Sequence, residues 1–302
     1  EARRNEIAGH IRSLKNEERE EYPYVFSRIA HAGQLPPPGD WRTWLVMAGR
    51  GFGKTRAGAE WVRMVAEADP DARIALVAAS LGEARSVMVE GESGLLACCP
   101  PARRPIFEPS LRRVTFANGA QAFLYGANEP EALRGPQHSH AWCDEIGKWP
   151  AGHARASRAW DNLLLGLRLG QDQRIVATTT PRAVPLVRRL VEAEGDEAVV
   201  MTRGATADNA GNIPLRTVRA LRREFGRSLL ARQELDGELV DEVEGALWSR
   251  ALLESGREDA ASSPPRRVVI GVDPPASAHG DACGIIVCAA CEDGLARVLA
   301  DA

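Results

Sequence analysis

Lysine is almost missing from this sequence. Lys15, Lys54 and Lys148 are the whole set, so 35 of the 38 basic residues are arginines and each lysine stands out. Also lacking is any run near the ~18 to 20 apolar residues of a bilayer-spanning helix, and residues 1–21 are too charged for a signal peptide. A helical membrane protein is thereby excluded and a cytoplasmic one expected. No charge sign is in marked excess, since 38 basic side chains face 41 acidic ones. That excludes general attraction to nucleic acid, so any such contact must come from local patches. Six cysteines, two of them adjacent at Cys98 and Cys99, make no disulfide framework and suit a reducing compartment. Cys288 and Cys291 form a Cys-x-x-Cys with no second pair, so packed strand-end cysteines are expected rather than a zinc site. Internal repeats and low-complexity tracts are absent as well.

What is present is enough apolar material, 44% of 302 residues, for a sizeable core, and length alone suggests roughly two domains. Residues 1–40 read as a charged helical arm ending in the stiff break Pro36, Pro37, Pro38, Gly39. Apolar runs at Trp44–Ala48 and Arg73–Ala79 flank a helical stretch at Thr55–Ala68, a strand, helix, strand rhythm. Residues 112–117 and 120–125 flank Asn118 and Gly119, the dipeptide that best supplies a tight hairpin's positive φ angles. Strands at His140–Cys143 and Arg174–Thr178 enclose a helical stretch at Arg155–Leu169. This alternation implies an α/β fold with a mostly parallel sheet covered by helices on both faces. From 207 to 262 the pattern is polar and helical, at Leu215–Phe225 and Ser228–Leu235, and reads as a small lid or linker. Beyond Ser262, Ser263, Pro264 and Pro265, strands at Arg267–Val272 and Gly284–Ala289 open a second α/β domain, 263–302.

Two short segments carry chemistry. Ala48, Gly49, Arg50, Gly51, Phe52, Gly53, Lys54, Thr55 follows a strand and opens a helix, the setting of a phosphate-binding P-loop. Glycines let backbone amides curl round phosphates, Lys54 neutralises the β and γ oxygens, and the Thr55 hydroxyl coordinates Mg²⁺. Ala48 stands where the usual pattern has its first glycine. Asp144 and Glu145, ending the Ala141–Cys143 run, supply an acid for the Mg²⁺ shell and a base to orient the attacking water. Taken alone, the pair reads equally well as the acidic start of a helix at Ile146. His138 and His140, just upstream, are assigned no role.

With these segments, the chain from Trp41 onward resembles the large terminase subunit, the DNA-packaging motor of tailed phages and phage-derived gene transfer agents. The resemblance rests on Trp41-Arg42-Thr43-Trp44, the loop Gly49 to Thr55, Arg134-Gly135-Pro136, Asp144-Glu145, and Thr178-Thr179-Thr180-Pro181-Arg182. It implies a P-loop NTPase of the ASCE, RecA-like type over 41–206, a lid or linker over 207–262, and the start of an RNase H-like nuclease. In that family the first loop glycine is commonly replaced and an arginine sits inside the loop, which Arg50 matches. Arg134, eleven residues before Glu145, matches the position of an arginine finger offered to a neighbouring subunit's ATP, worth about 10³ to 10⁵ in rate in other NTPases. An ordinary loop arginine is the bland alternative. Thr178, Thr179 and Thr180 match the coupling motif, although three threonines at a strand end are also simply good β formers.

Asp273, at the end of the next strand, matches the first metal-binding aspartate of the nuclease, where two ions, Mg²⁺ or Mn²⁺, activate water. Asp281 nearby reads more simply as a turn residue. The 37 residues from Arg266 to Ala302 are fewer than the ~100 of an independent domain, so the nuclease is expected to be incomplete here. The resemblance further implies ATP and Mg²⁺ as cofactors, double-stranded DNA as cargo, and portal protein and small terminase subunit as partners. It also implies a homo-oligomeric ring on the capsid, with a monomer in solution allowed. A helicase would need a second motor domain after Arg182, for which there is no room. A catalytically dead scaffold would be expected to lose Lys54, Thr55 or Glu145, and all three are intact.

Overall fold

The computed structural model describes Lys15 and residues 21–196, 198–226, 228–240, 252, 256, 263–274 and 283–301. The expected helical arm falls, up to residue 20 and apart from Lys15, outside them, as do Asp281 and most of 241–262. The chain divides into two compact units, Glu1–Asp241 and Glu242–Ala302.

The first unit is built on an eight-stranded sheet of order β3-β4-β5-β2-β6-β7-β1-β8. Its strands are β1 Thr43–Ala48, β2 Arg73–Ala78, β3 Ile106–Glu108, β4 Arg113–Thr115, β5 Gln121–Gly126, β6 His140–Cys143, β7 Arg174–Thr179 and β8 Val199–Gly204. From β5 to β8 every pairing is parallel, and β4 runs antiparallel to both its neighbours at one edge. Parallel strands covered on both faces should be apolar throughout, and β1 is buried at all six positions. Alternate residues feed two cores. Trp44, Val46 and Ala48 join Trp61, Val62 and Ala66 of helix α1 (Lys54–Ala68) on one face. Leu45 and Met47 join Trp160 and Leu163 of α2 (Arg155–Gly166) and Leu186 and Leu190 of α3 (Pro185–Glu192) on the other.

Helix α1 is pinned hard against the sheet. A Cβ on its mid-helix Gly58 would sit 2.2 Å from the Trp142 Nε1 of β6, so the ~1 kcal/mol that a helical glycine costs is exchanged for close approach. On its outer side the fully buried Glu60 holds both Arg56 and Arg63, and Arg63 reaches back to the Tyr24 carbonyl. Residues 22–34 are thereby laid along α1, with Phe26 and Ala30 packed on Ala57.

Several sequence expectations shift. Helix α2 ends at Gly166, three residues early, because Leu167 bridges to His138 and the Arg168 and Leu169 amides donate to the His138 carbonyl. The Asn118-Gly119 turn places only Gly119 at positive φ (+103°). Phe116 accepts from the Gly119 amide and donates to the Ala120 carbonyl, a turn closed by a glycine bulge rather than a two-residue primed turn. Asn118 instead donates from its side chain to the Ala66 carbonyl at the end of α1. The strands Ile106–Glu108, Val199–Gly204 and Ala296–Asp301 have no counterpart among the sequence expectations.

The lid segment supplies α4 (Leu215–Phe225) and α5 (Leu229–Glu234). The second unit is a three-stranded antiparallel sheet, β11-β10-β9, of β9 Pro265–Asp273, β10 Gly284–Cys291 and β11 Ala296–Asp301. All six cysteines are free, and the described residues hold no cluster of three or more His, Cys, Asp or Glu suited to a metal ion. No helix among them is long and apolar enough to cross a membrane.

Candidate functional site

The loops after β1, β6 and β7 meet in one cleft of about 740 Å³, lined by Arg50, Gly51, Gly53, Lys54, Thr55, Glu145, Lys148, Thr180 and Arg182 among others. This is where a parallel sheet must present function, since the carboxyl ends of its strands all open on the same side. Loop 49–53 turns from β1 into α1 through Gly51 and Gly53, at φ +73° and +96°, angles that cost an L residue 1 kcal/mol or more. The amides of Gly51, Gly53, Lys54 and Thr55 have no acceptor among the described residues. Unpartnered donors at a helix start carry partial positive charge and suit an anion.

Lys54 lies buried beneath them, its Nζ donating to the Ala48 and Gly49 carbonyls and to Thr180 Oγ1 at 2.8, 3.2 and 3.1 Å. Burial lowers its pKa, while Glu145 and Asp144 oppose the fall. Glu145 Oε1 is 3.5 Å from that amine. The same carboxylate accepts from the Thr180 amide at 3.0 Å and the Thr180 hydroxyl at 3.2 Å. Burial raises the Glu145 pKa, but Lys54 and the Thr180 amide outweigh it and hold the group below its ordinary value. Glu145 adopts φ +47°, ψ +53°, a conformation uncommon for a residue with a side chain and concentrated at functional sites. It stands at the start of the 3₁₀ turn Ile146–Lys148 but does not cap it by its side chain, so the acid lies at a helix start while its carboxylate serves Lys54 and Thr180 instead.

Asp144 sits one residue back, buried, with Oδ1 accepting from Thr178 Oγ1 at 2.7 Å. Burial pushes its pKa up to about 6, Glu145 adds to the rise, and Thr178 and Lys54 pull against it. Consecutive acids at one strand tip thus differ in kind: Glu145 is ion-paired and faces the cleft, whereas Asp144 is tucked under β7.

Of the threonines, Thr178 touches Asp144 and the Glu145 amide, Thr179 Oγ1 accepts from the Gly147 amide, and Thr180 bridges Lys54 and Glu145. Phe52 alone in the glycine loop turns its side chain inward, against His31 at 4.5 Å between rings. Arg50 pairs with Glu234 of α5. Arg134 does not line the cleft: its side chain is 79% exposed and lies 3.8 Å from Glu131. Asp273 belongs to the second unit, where it ends β9 opposite Gly284 and is exposed.

The wrapping of the glycine loop by distant segments was invisible in the sequence. Thr206 Oγ1 donates to the Arg50 carbonyl, Asn209 Nδ2 to the Gly51 carbonyl and Gln34 Nε2 to the Gly53 carbonyl. The Arg50 amide donates to the Glu234 carbonyl. These partners are 19 to 184 residues away in sequence, and no local periodicity or motif marks them.

Comparison with known proteins places this geometry. The family profile of the terminase large subunit, T4-like-virus type, N-terminal, matches residues 45–255. No curated protein matches. The large terminase of the thermophilic bacteriophage D6E aligns at TM-score 0.55 and 10% identity, over 94% of this chain and 67% of that one. Its complex with ADP aligns at 0.54 and 11%, over the same shares. The HK97 bacteriophage large terminase aligns at 0.54 and 16%, over 95% of this chain and 62% of that one. This chain thus spans about two thirds of the length of those proteins. At such identities the likeness shows the fold, the mostly parallel α/β sheet of a P-loop NTPase.

Proposed function

The chain belongs to the terminase large-subunit family, and we propose that it is an ATP-hydrolysing motor that moves double-stranded viral DNA into a preformed capsid. One observation carries the reading: four unpartnered amides, a buried lysine and an ion-paired, strained glutamate share one cleft, within 3.5 Å between the last two. The amides of Gly51, Gly53, Lys54 and Thr55 and the Lys54 ammonium bind the phosphates. Glu145, ionised and fixed by Thr180, accepts a proton from the attacking water.

The donor set fits a Mg²⁺ ion. Thr55 offers a hydroxyl to the cleft, and Asp144 is a buried carboxylate whose raised pKa marks a charge not fully offset by protein cations. A hard cation that takes its remaining oxygens from phosphates and water suits such a sparse pair. Bound there, it would neutralise charge on the phosphoryl oxygens. Thr55 would ligate it and Asp144 would hold it through water.

The solved relative that holds ADP supports a nucleotide in this cleft. Arg134, exposed and away from it, is available to a neighbouring subunit of a ring, with portal protein and the small terminase subunit as further partners. Asp273 is assigned to a metal-dependent nuclease. DNA is held through phosphates by local arginines, and its binding weakens with salt.

The test is Glu145→Ala. It should bind ATP with near-wild-type affinity and lose hydrolysis by about 10² to 10⁴-fold. Unchanged turnover would remove Glu145 as the base, and a wild-type chain that binds no ATP would remove the motor reading altogether.

A further inference from the structure

Five cations and three carboxylates line the cleft, and their pairing is uneven. Arg50 is held by Glu234, Lys54 by Glu145 and Arg56 by Glu60. Glu60 lies outside the cleft, and the third lining carboxylate, Glu92, has no cation partner among the described residues. Of the lining cations, Lys148 and Arg182 have no carboxylate partner among the described residues. A triphosphate brings three or four negative charges, so the wall that carries the glycine loop is close to self-neutralised before the ligand arrives.

The two free cations stand on adjoining backbone. Lys148 ends the 3₁₀ turn that Glu145 begins, its amide donating to the Glu145 carbonyl at 2.8 Å. Arg182 is two residues past Thr180, and the Val184 amide donates to its carbonyl at 2.8 Å. Between them Gly147 is clamped: its amide donates to Thr179 Oγ1, and a Cβ built on it would lie 2.6 Å from that hydroxyl and 3.3 Å from the Arg182 Cβ. The turn bearing Lys148 and the loop bearing Arg182 thus form one packed unit, fixed to the same strand tips as Asp144 and Glu145. Lys148 is near enough to pull against the rise at Asp144 and to add to the lowering at Glu145.

We propose that Lys148 and Arg182 are contacts to the terminal phosphate of the bound nucleoside triphosphate, reaching it from the β6 and β7 loops while the β1 loop holds the inner phosphates. This rests on the nucleotide reading of the cleft. A guanidinium grips phosphate oxygens through two parallel N–H bonds, and an ammonium adds a point charge. Because the Lys148 turn begins at Glu145 and the Arg182 loop follows Thr180, which holds the Glu145 carboxylate, the same cations report whether the terminal phosphate is present to the segment that holds Glu145.

The experiment compares the affinity of the full chain for Mg²⁺·ADP and for a non-hydrolysable Mg²⁺·ATP analogue, in the wild type and in Arg182→Gln, Lys148→Gln and Arg182→Lys. Expected is a wild-type preference for the triphosphate that shrinks roughly 10 to 100-fold in each Gln variant, the cost of one charge-assisted contact. ADP affinity should stay within about threefold of wild type, and Arg182→Lys should recover part of the preference. A preference unchanged in both Gln variants overturns the proposal. Parallel loss of ADP and analogue binding also overturns it, since that marks a structural role. A wild type that binds neither nucleotide instead sinks the parent reading.

Discussion

Thr178 joins the two acids of the site. Its hydroxyl donates to Asp144 Oδ1 at 2.7 Å and accepts the Glu145 amide at 3.1 Å, fully buried in β7. One side chain therefore satisfies a buried carboxylate and fixes the backbone that puts Glu145 at positive φ.

Thr178→Val keeps the shape and removes both hydrogen bonds. Leaving a buried carboxylate short of a donor costs about 1 to 3 kcal/mol, so urea unfolding at pH 8 should show a loss of that size, with Thr178→Ser recovering most of it. The variant should also bind Mg²⁺·ATP more weakly than ATP with chelator, because the mis-set acid is the metal-side one. An unchanged unfolding midpoint would mean that another donor replaces Thr178.

The Asp144 pKa gives a pH signature. Its folded value of about 6 lies above the ordinary 3.8, with burial the main cause. A raised carboxyl favours the folded state when protonated, so this group's contribution is greatest below about pH 4 and falls by roughly 3 kcal/mol as pH rises through 6. Measured with chelator present, the stability of the wild type minus that of Asp144→Asn should decline between pH 4 and 7. Mg²⁺·ATP affinity should move the other way, weakening below about pH 6 as the ion must displace a proton. A flat difference across that range would place the raised pKa elsewhere.

Gly49 tests the grip of the lid. A Cβ there would lie 2.6 Å from the Leu235 carbonyl oxygen, the same oxygen that accepts the Thr206 amide at 2.7 Å. Gly49→Ala should therefore push the 205–237 segment off the glycine loop. We expect faster trypsin cleavage within α4, which carries Arg216, Arg219, Arg222 and Arg223, and weaker ATP binding. Equal cleavage rates in variant and wild type would show that the segment yields without detaching.

The parts of this site that could be read from the sequence are those whose signal is local. Strands β1, β6 and β7 are short apolar runs, each stopped by residues a strand tip must carry: glycines, two acids, threonines. Strand β8 offered only Val199, Val200 and Met201 before Thr202 and the exposed Arg203, and its strand character comes from lying along β1, where Thr202 Oγ1 accepts the Trp44 indole at 2.9 Å. Glu234, Thr206 and Asn209 could not be found at all, because helical lid residues gain their role only when the chain folds back over the glycine loop. The pairing of Lys54 with Glu145 was legible as chemistry, yet the positive φ of Glu145 was not, since that strain is set by Thr178 and Thr180 from the next strand.

Arg134 is the residue whose meaning depends on a second chain, and mixing separates the readings. Lys54→Ala subunits should bind no ATP but keep Arg134, and Arg134→Ala subunits should bind ATP but lack the finger. Each alone should be inactive under packaging conditions. In a mixed ring an ATP held by an Arg134→Ala subunit can be met by the arginine of a Lys54→Ala neighbour, so phosphate release should reappear and peak near equal proportions. The 79% exposure of the Arg134 side chain and its loose 3.8 Å approach to Glu131 leave it free to swing, at little cost for a surface pair worth under about 1 kcal/mol. If no mixture recovers turnover while each variant still joins the ring, the arginine acts within its own chain or not at all, and its exposure is that of an ordinary loop residue.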